Sequence, residues 1–597
     1  MKQRELTILK QQVENEFLPF VRRPARYIGG EVNYVKKDLA RCGLRIALCF
    51  PDLYEIGMSY TGLGIIYNIL NNIEGVAAER CFAPWIDAEE ILRKKNIPLF
   101  SLESFASLKS FDCLGFSLTT ELCYTNVLNM LDLAGIKLRS CDRGEDEPLI
   151  IGGGQMANCC EPVADFFDVF VIGEGEEAVA ELANLLIEEK NLSKEQLLEK
   201  IALKFDWVYI PRFYRFETEN GVIKKFGSNL ANLPMRFNNA VVEDFENAPV
   251  PEKPIVPFAQ TVHERISIEI MRGCPGRCRF CQASFCRRPV RYRSPEKILD
   301  IAKKCFASTG FDTIGLLSLS SGDYPELEKL TQLLDNFFLE KKVGLSLPSL
   351  RVDQQLKLLP ALVTSVRKGG ITIAVEAASE RLRQIINKPL KDEDLFAAVG
   401  AAWQGGWGQI KLYFMAGLPG ETQDDIRRIV ELSYQLAQLR KDFAGRAGVI
   451  NAAVSWFVPK PHTPFGWLEQ KDRSYFENAK QLILSEKRKL NAKTIQFKFH
   501  NIEQSILESA VARGGRNLSN VIEFAWKSGA KFDLWDECFN FDIWKTAFEK
   551  FGLNLEKEAA KSFAIDQILP WEHLGGPEKK YLLTHLKEAL ELESRKQ

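Results

Sequence analysis

The chain has 597 residues, 46% hydrophobic and 26% charged, the balance of an ordinary globular protein with room for about two to four domains. Its 78 basic and 79 acidic residues leave a net charge of -1, so no global attraction to nucleic acid or membrane is built in. No apolar run approaches the roughly 18 residues of a membrane span. The amino terminus, Met1-Lys-Gln-Arg-Glu-Leu6, lacks the apolar core of a secretory signal. With 14 cysteines in so large a chain, free thiols in a reducing compartment are expected. The expectation is a cytoplasmic protein without a membrane partner.

Residues 1–35 read as a helix and an arm, the arm carrying Arg22, Arg23 and Arg26 on what is expected to be a solvated face. Over 36–190, short apolar runs alternate with helical stretches. Leu44–Phe50 is the first strand, followed by a glycine-punctuated helix from Gly57 to Asn72. Phe111–Ser117, Pro148–Gly154 and Asp168–Gly173 are the next three strands. This alternation predicts an α/β domain of doubly wound, Rossmann-like type, whose ligands bind outside the carboxyl ends of the strands. Residues 191–255 read as a linker, with a hairpin from Trp207 to Ile223 turning at Asn220-Gly221 and prolines at 249, 251 and 254.

The turns of 36–190 resemble cobalamin-binding Rossmann domains. That family carries D-x-H-x-x-G after its first strand, and here Asp52-Leu-Tyr-Glu-Ile-Gly57 stands in its place. Ser117-Leu-Thr119-Thr120 matches a serine-threonine turn, Gly152 and Gly153 the later glycine pair, and Gly173 opens a Gly-Glu-Gly-Glu closing turn. Tyr54 occupies the position of the family's cobalt-ligating histidine. The resemblance therefore implies cobalamin bound without a histidine ligand, or a domain that has kept only the fold. The adjacent Cys159 and Cys160 are expected to be buried, inert thiols.

The centre of the chain carries Arg272-Gly-Cys-Pro-Gly-Arg-Cys-Arg-Phe-Cys281. Cys274, Cys278 and Cys281 follow C-x3-C-x2-C after a β-branched strand, Arg265–Met271. Glycine and proline let such a loop turn three sulfurs onto one inorganic centre. Zinc, a cluster held by four cysteines with Cys286 as the fourth, and a cluster with one open iron all remain candidates. Further strands follow at Phe311–Ser320, Val343–Arg351, Gly370–Glu376, Gln409–Gly417 and Asn451–Val458.

From Ile266 to Trp467 this stretch resembles the radical S-adenosylmethionine (SAM) superfamily, in particular its Elp3- and MiaB-like branch. The resemblance implies a partial (β/α)6, TIM-like barrel over 256–470 and a 4Fe-4S cluster on Cys274, Cys278 and Cys281. In that family, SAM completes the cluster's coordination and is cleaved to a 5′-deoxyadenosyl radical. Phe280 would lie beside the adenine. Ser320, Ser321, Gly322 and Asp323 stand where the family's Gly-Gly-Glu motif binds the SAM amino group. Glu376 would approach the ribose or methionine, and Lys388 the carboxylate. An electron donor such as flavodoxin or ferredoxin is implied as a partner, and the substrate is unknown.

Residues 471–597 read as a mostly helical domain, with an amphipathic helix over Tyr475–Lys498. Trp526, Trp535, Trp544 and Trp571 are expected in its core. His462 reads either as a proton donor near the substrate or as a structural hydrogen-bonding residue of its loop, and Arg513, Arg516 and His500 are candidates for lining a substrate cavity. Three functions remain in view: a radical SAM enzyme assisted by cobalamin, possible methyltransferase activity included; an RNA- or protein-modifying radical SAM enzyme without cobalamin, with Arg287 to Arg293 as a local phosphate contact; and an iron-sulfur electron carrier or redox sensor.

Overall fold

The apolar run Leu44–Phe50 forms β1, the strand around which the amino-terminal sheet is built. The computed structural model describes residues 3–219, 221–346, 371–388 and 390–594. Beside β1 lie β2 (Val76–Phe82) and β3 (Cys113–Ser117), then β4 (Leu149–Gly153), β5 (Val169–Val171) and β6 (Val208–Tyr209). The order is β2-β1-β3-β4-β5-β6, with the first five parallel and β6 antiparallel. The order in which strands are added reverses between β1 and β3, which opens a crevice at the carboxyl ends of the strands.

β2 is missing from the sequence expectation for a physical reason. Its sequence, Val-Ala-Ala-Glu-Arg-Cys-Phe, has a carboxylate and a guanidinium at its centre, yet every residue is buried. Arg80 is held between Glu31, at 2.8 Å, and Glu103, at 2.6 Å. Glu79 accepts from Ser101 and Ser104. Partners distant in sequence make this charged strand affordable inside the core.

Val208 and Tyr209, expected in a hairpin, instead add the antiparallel edge β6. The hairpin proper pairs β7 (Tyr214–Glu219) with β8 (Val222–Ser228), and Asn220 of its turn lies outside the described residues.

A second unit begins at β9 (Ile266–Glu269). The two-residue strands β10 (Met271–Arg272) and β11 (Arg291–Tyr292) pair antiparallel and close the cysteine loop between them. β9, β12 (Thr313–Leu317) and β13 (Gly344–Ser346) form one parallel sheet. The remainder of the strand expected to reach Arg351, and Gly370 of the next, lie outside the described residues. β14 (Ile371–Glu376), β15 (Gln409–Ala416), β16 (Val449–Trp456) and β17 (Ile495–Phe499) form a second parallel sheet. In β15, Ile410, Leu412, Phe414 and Ala416 pack on the helices Asp392–Gln404, Gln423–Gln438 and Arg473–Lys489, while the alternate residues face away.

The strand β17 corrects two expectations. The amphipathic helix stops at Lys489, and the described residues supply seven parallel strands where six were expected. Ile495-Gln-Phe-Lys-Phe499 alternates with period two, the pattern of a half-buried strand.

The carboxyl-terminal region is largely helical, as expected, but packs on the amino-terminal sheet domain. Thr125 donates to Asp533 at 2.7 Å, Trp535 to Asp52 at 3.1 Å and Arg516 to Glu161 at 2.9 Å. Of the arm's arginines, Arg22 and Arg23 stay exposed as expected, Arg23 reaching Glu55, whereas Arg26 is buried against the same carboxylate.

Candidate active site

Backbone conformation explains how the cysteine loop is formed. Gly273 has φ +86°, and a Cβ there would lie 2.7 Å from the carbonyl oxygen of Arg287, so only glycine fits. Gly276 sits between two of the thiols: a Cβ would stand 3.3 Å from Cys274 Sγ and 4.0 Å from Cys278 Sγ. Two arginines hold the loop: Arg288, from the run expected to contact phosphate, and Arg279, which no motif marked. Arg288 donates to the carbonyls of Ser284 at 2.8 Å and Gly276 at 2.9 Å. Arg279 donates to the carbonyls of Gln384 and Ile385 and to Glu588 of the last helix, Lys579–Ser594.

Cys274, Cys278 and Cys281 are partly exposed, whereas Cys286 is buried in the short helix Gln282–Cys286. Burial pushes the Cys278 thiol up to about 12, against the opposing pull of Lys388. Burial likewise raises Cys274, with the charges of Cys281 and Asp323 adding to it. Thiols so placed become thiolates readily only beside a strong positive centre. Among the described residues no His, Cys, Asp and Glu group is gathered closely enough for a single metal ion, and a closed zinc site needs four donors. Three thiols on one loop, with Cys286 withdrawn, fit a cluster that leaves one iron to a further ligand.

The residues expected to hold SAM are partly brought to this loop. Ser320 donates to Asp323 at 2.7 Å within the turn Ser321–Asp323, and Asp323 bears electrostatically on Cys274. Ser321 is hydrogen-bonded to Ser318 at 2.8 Å, and Gly322 is buried in the same turn. Glu376 ends β14 at φ +67°, a left-handed conformation costing about 1 kcal/mol for a residue with a Cβ. That turn sets its carboxylate 3.6 Å from Lys388 Nζ, and both groups bear on Cys278. Phe280 is half-buried against the main core.

Beside the loop opens a cavity of about 640 Å³ at the carboxyl ends of β1, β3, β4 and β5. Ser117, Gly152, Gly153 and Gly173 line it, and Gly273 and Arg287 bring the cysteine loop to its rim. Its inner end is apolar, between the sheet and the helices Thr61–Asn72 and Glu176–Glu188, with Leu70, Leu182 and Leu186 in its wall. Gly153 faces open space, while a Cβ on Gly152 would strike the Phe170 ring at 2.6 Å.

The other members of the expected cobalamin set lie elsewhere. Asp52 is buried, accepting from Trp535 and from the Leu53 amide. Gly57 packs on Phe82, and Thr119 lies outside the cavity wall. Tyr54 is buried in the core and donates to Glu31 at 2.9 Å, so it presents no ligand to the cavity.

The expected phosphate-binding run from Arg287 to Arg293 is mostly spent inside the protein. Arg291 pairs with Glu174 at 2.5 Å, and Arg293 donates to the carbonyls of Glu246 and Ala248. Arg272, next to the loop, joins Glu176 at 2.5 Å, Glu269 at 2.7 Å and Glu174 at 3.4 Å. The Gly-Glu-Gly-Glu turn thus grips the cysteine loop electrostatically, a link hidden from the sequence because its partners are far apart in the chain.

Other candidates have structural contacts. His462 is buried, its Nε2 2.8 Å from the Asn158 carbonyl, and burial lowers it to about 4, so it stays neutral. Arg513 donates to the carbonyls of Leu468 and Ala559, and Arg516 pairs with Glu161. Neither lines the cavity, and His500 lies exposed at the end of β17. Cys159 and Cys160 are buried with thiols raised by burial. Trp544 and Trp571 are in the core, while Trp526 and Trp535 are partly exposed.

Two family models match the chain: radical SAM proteins, N-terminal, over residues 62–211, and the radical SAM superfamily over 268–433. The second spans the cysteine loop and the strands β9 to β15, which defines the class as enzymes that draw radicals from S-adenosylmethionine. The chain belongs to the radical SAM superfamily.

An uncharacterized protein of Methanocaldococcus jannaschii is 26% identical over 489 residues, covering 80% of this chain and 91% of its own length. The ribosomal protein uS12 methylthiotransferase RimO of Desulfotalea psychrophila is 25% identical over 330 residues, covering 53% of this chain and 69% of its own. Among solved structures, the radical SAM methyltransferase TsrM of Kitasatospora setae, with cobalamin and a 4Fe-4S cluster bound, aligns with a TM-score of 0.50 at 13% identity. That alignment covers 85% of this chain and 99% of TsrM, and it speaks to the fold alone.

Proposed function

We propose that the protein is a cobalamin-assisted radical SAM enzyme that methylates an unactivated position of its substrate. Cys274, Cys278 and Cys281 would hold a 4Fe-4S cluster, which when bound supplies the single electron that cleaves the sulfonium of SAM. Lys388 and Glu376 offer opposite charges to the carboxylate and ammonium of SAM beside the loop. Phe280 and the Ser320–Asp323 turn would fix its orientation. An external donor, of the flavodoxin or ferredoxin type, would refill the cluster.

The observation that carries the cobalamin assignment is the cavity itself. Gly153, where a Cβ would meet only open space, lowers its floor, its apolar end suits a flat ring with a buried tail, and its rim meets the cysteine loop. Cobalamin held there would supply the methyl group, and Tyr54, turned into the core, would take no part in holding it. The inward use of Arg288, Arg291 and Arg293 weakens the RNA-modifying alternative, which needs exposed basic groups. Protein incubated with hydroxocobalamin and desalted should retain corrin absorbance in proportion to protein. Absorbance lost entirely in the flow-through would remove cobalamin from the proposal.

A further inference from the structure

The cavity wall carries three carboxylates and three arginines, but they are not paired evenly. Of the groups in its wall, Glu174, Glu176 and Glu269 are all engaged by Arg272, with Arg291 also on Glu174. Arg265 and Arg287 line the same cavity and have no ion pair among the described residues.

Arg265 is placed there by a gap in β12. Its side chain crosses Gly315, where a Cβ would lie 2.7 Å from Nε, so any larger residue would push the guanidinium away. Nη1 reaches Ser346 Oγ at 3.3 Å, and Nε is buried without an acceptor. Desolvation lowers the pKa of this group, with no carboxylate opposing it among the described residues. A half-buried cation lacking a counter-ion is unfavourable on its own and favourable once an anion arrives. Tyr60 projects into the same cavity, within electrostatic reach of Arg287. Arg287 in turn has its carbonyl packed on Gly273, the residue before Cys274.

We propose that the mouth of this cavity binds an oxyanion of the substrate, a carboxylate or a phosphate, between the guanidinium groups of Arg265 and Arg287. The substrate would then be an anionic molecule tethered at one end, its reacting carbon directed toward the cysteine loop. This rests on the cavity being the active-site chamber.

The test is a calorimetric titration of the cluster-reconstituted protein, incubated with cobalamin, using inorganic pyrophosphate and, separately, malonate. Saturable binding of at least one is expected, weakened about tenfold or more by Arg265→Gln and by Arg287→Gln. Arg287→Lys should recover part of the loss. Preference between the two probes distinguishes a phosphate from a carboxylate substrate. Absence of saturable binding, or binding unchanged in both variants, overturns the proposal. So does a loss of cobalamin, but not of phosphate-free cobinamide, in the variants, because the arginines would then serve the corrinoid's own phosphate. Formation of 5′-deoxyadenosine by the wild type, measured separately, tells a failure of the radical assignment from a failure of this one.

Discussion

Cys274 and Cys286 are thiols of one short segment in different environments. The first lies in the loop beside Asp323 and Cys281, and the second is sealed in a helix with its thiol raised by burial to about 12. Cys286→Ala is therefore expected to keep full iron content after reconstitution, while Cys274→Ala loses most of it, as read by iron and sulfide analysis. The spacing of the three cysteines was visible in the sequence because local geometry imposes it. The loop-holding roles of Arg279 and Arg288 were not, because their partners are carbonyls and a carboxylate that only folding brings near.

Asp533 offers a test by pH. It is buried, accepts from Thr125 and Trp544, and burial raises it from 3.8 to about 6. The folded state then holds a proton more tightly than the unfolded chain, so this group's stabilisation is present at low pH. It is lost as pH rises from about 4 through about 6, by on the order of 3 kcal/mol in the limit. Asp533→Asn should remove that dependence. The melting temperature of the variant, relative to wild type, should climb across this window and level off above it. A difference independent of pH would refute the assignment.

At the scale of elements, β4 carries two adjacent glycines with opposite roles. Gly153→Val adds bulk to open cavity and should abolish cobalamin retention with melting unchanged. Gly152→Val drives a side chain into Phe170 and should cost about 1–3 kcal/mol of stability, measured by denaturant unfolding. The apolar strands β1, β3, β4 and β5 were legible from their runs, and their glycine turns pointed to the edge of the sheet where the cavity lies. Two strands were not. β2 hides behind Glu79 and Arg80, whose neutralising partners are remote. β17 follows closely on a helix, and its alternation is too short to stand out beside it. Within the cobalamin-type motif, Gly152, Gly153, Gly173 and Ser117 reach the cavity, whereas Gly57 packs on Phe82 and Asp52 is drawn off by Trp535, from the far end of the chain.

Over the whole molecule, the carboxyl-terminal region acts as a brace. Its helices share a core with the amino-terminal sheet domain, and its last helix reaches the cysteine loop through Glu588 and Arg279. Tyr581 and His585 of that helix pack edge-on against Phe285 beside the loop. Removing residues 577–597 should speed loss of iron-sulfur absorbance in air while leaving the amino-terminal domain folded. Helical composition announced this region, but its docking surface had no motif, because it depends on contacts such as Thr125 with Asp533.

The most direct measurement is anaerobic incubation of the reconstituted protein with SAM and dithionite, followed by chromatography for 5′-deoxyadenosine. The three-thiol loop predicts accumulation with wild type and none above background with Cys278→Ala. Equal, background-level amounts from both proteins, with the cluster intact in the wild type, would contradict the assignment of SAM cleavage to Cys274, Cys278 and Cys281.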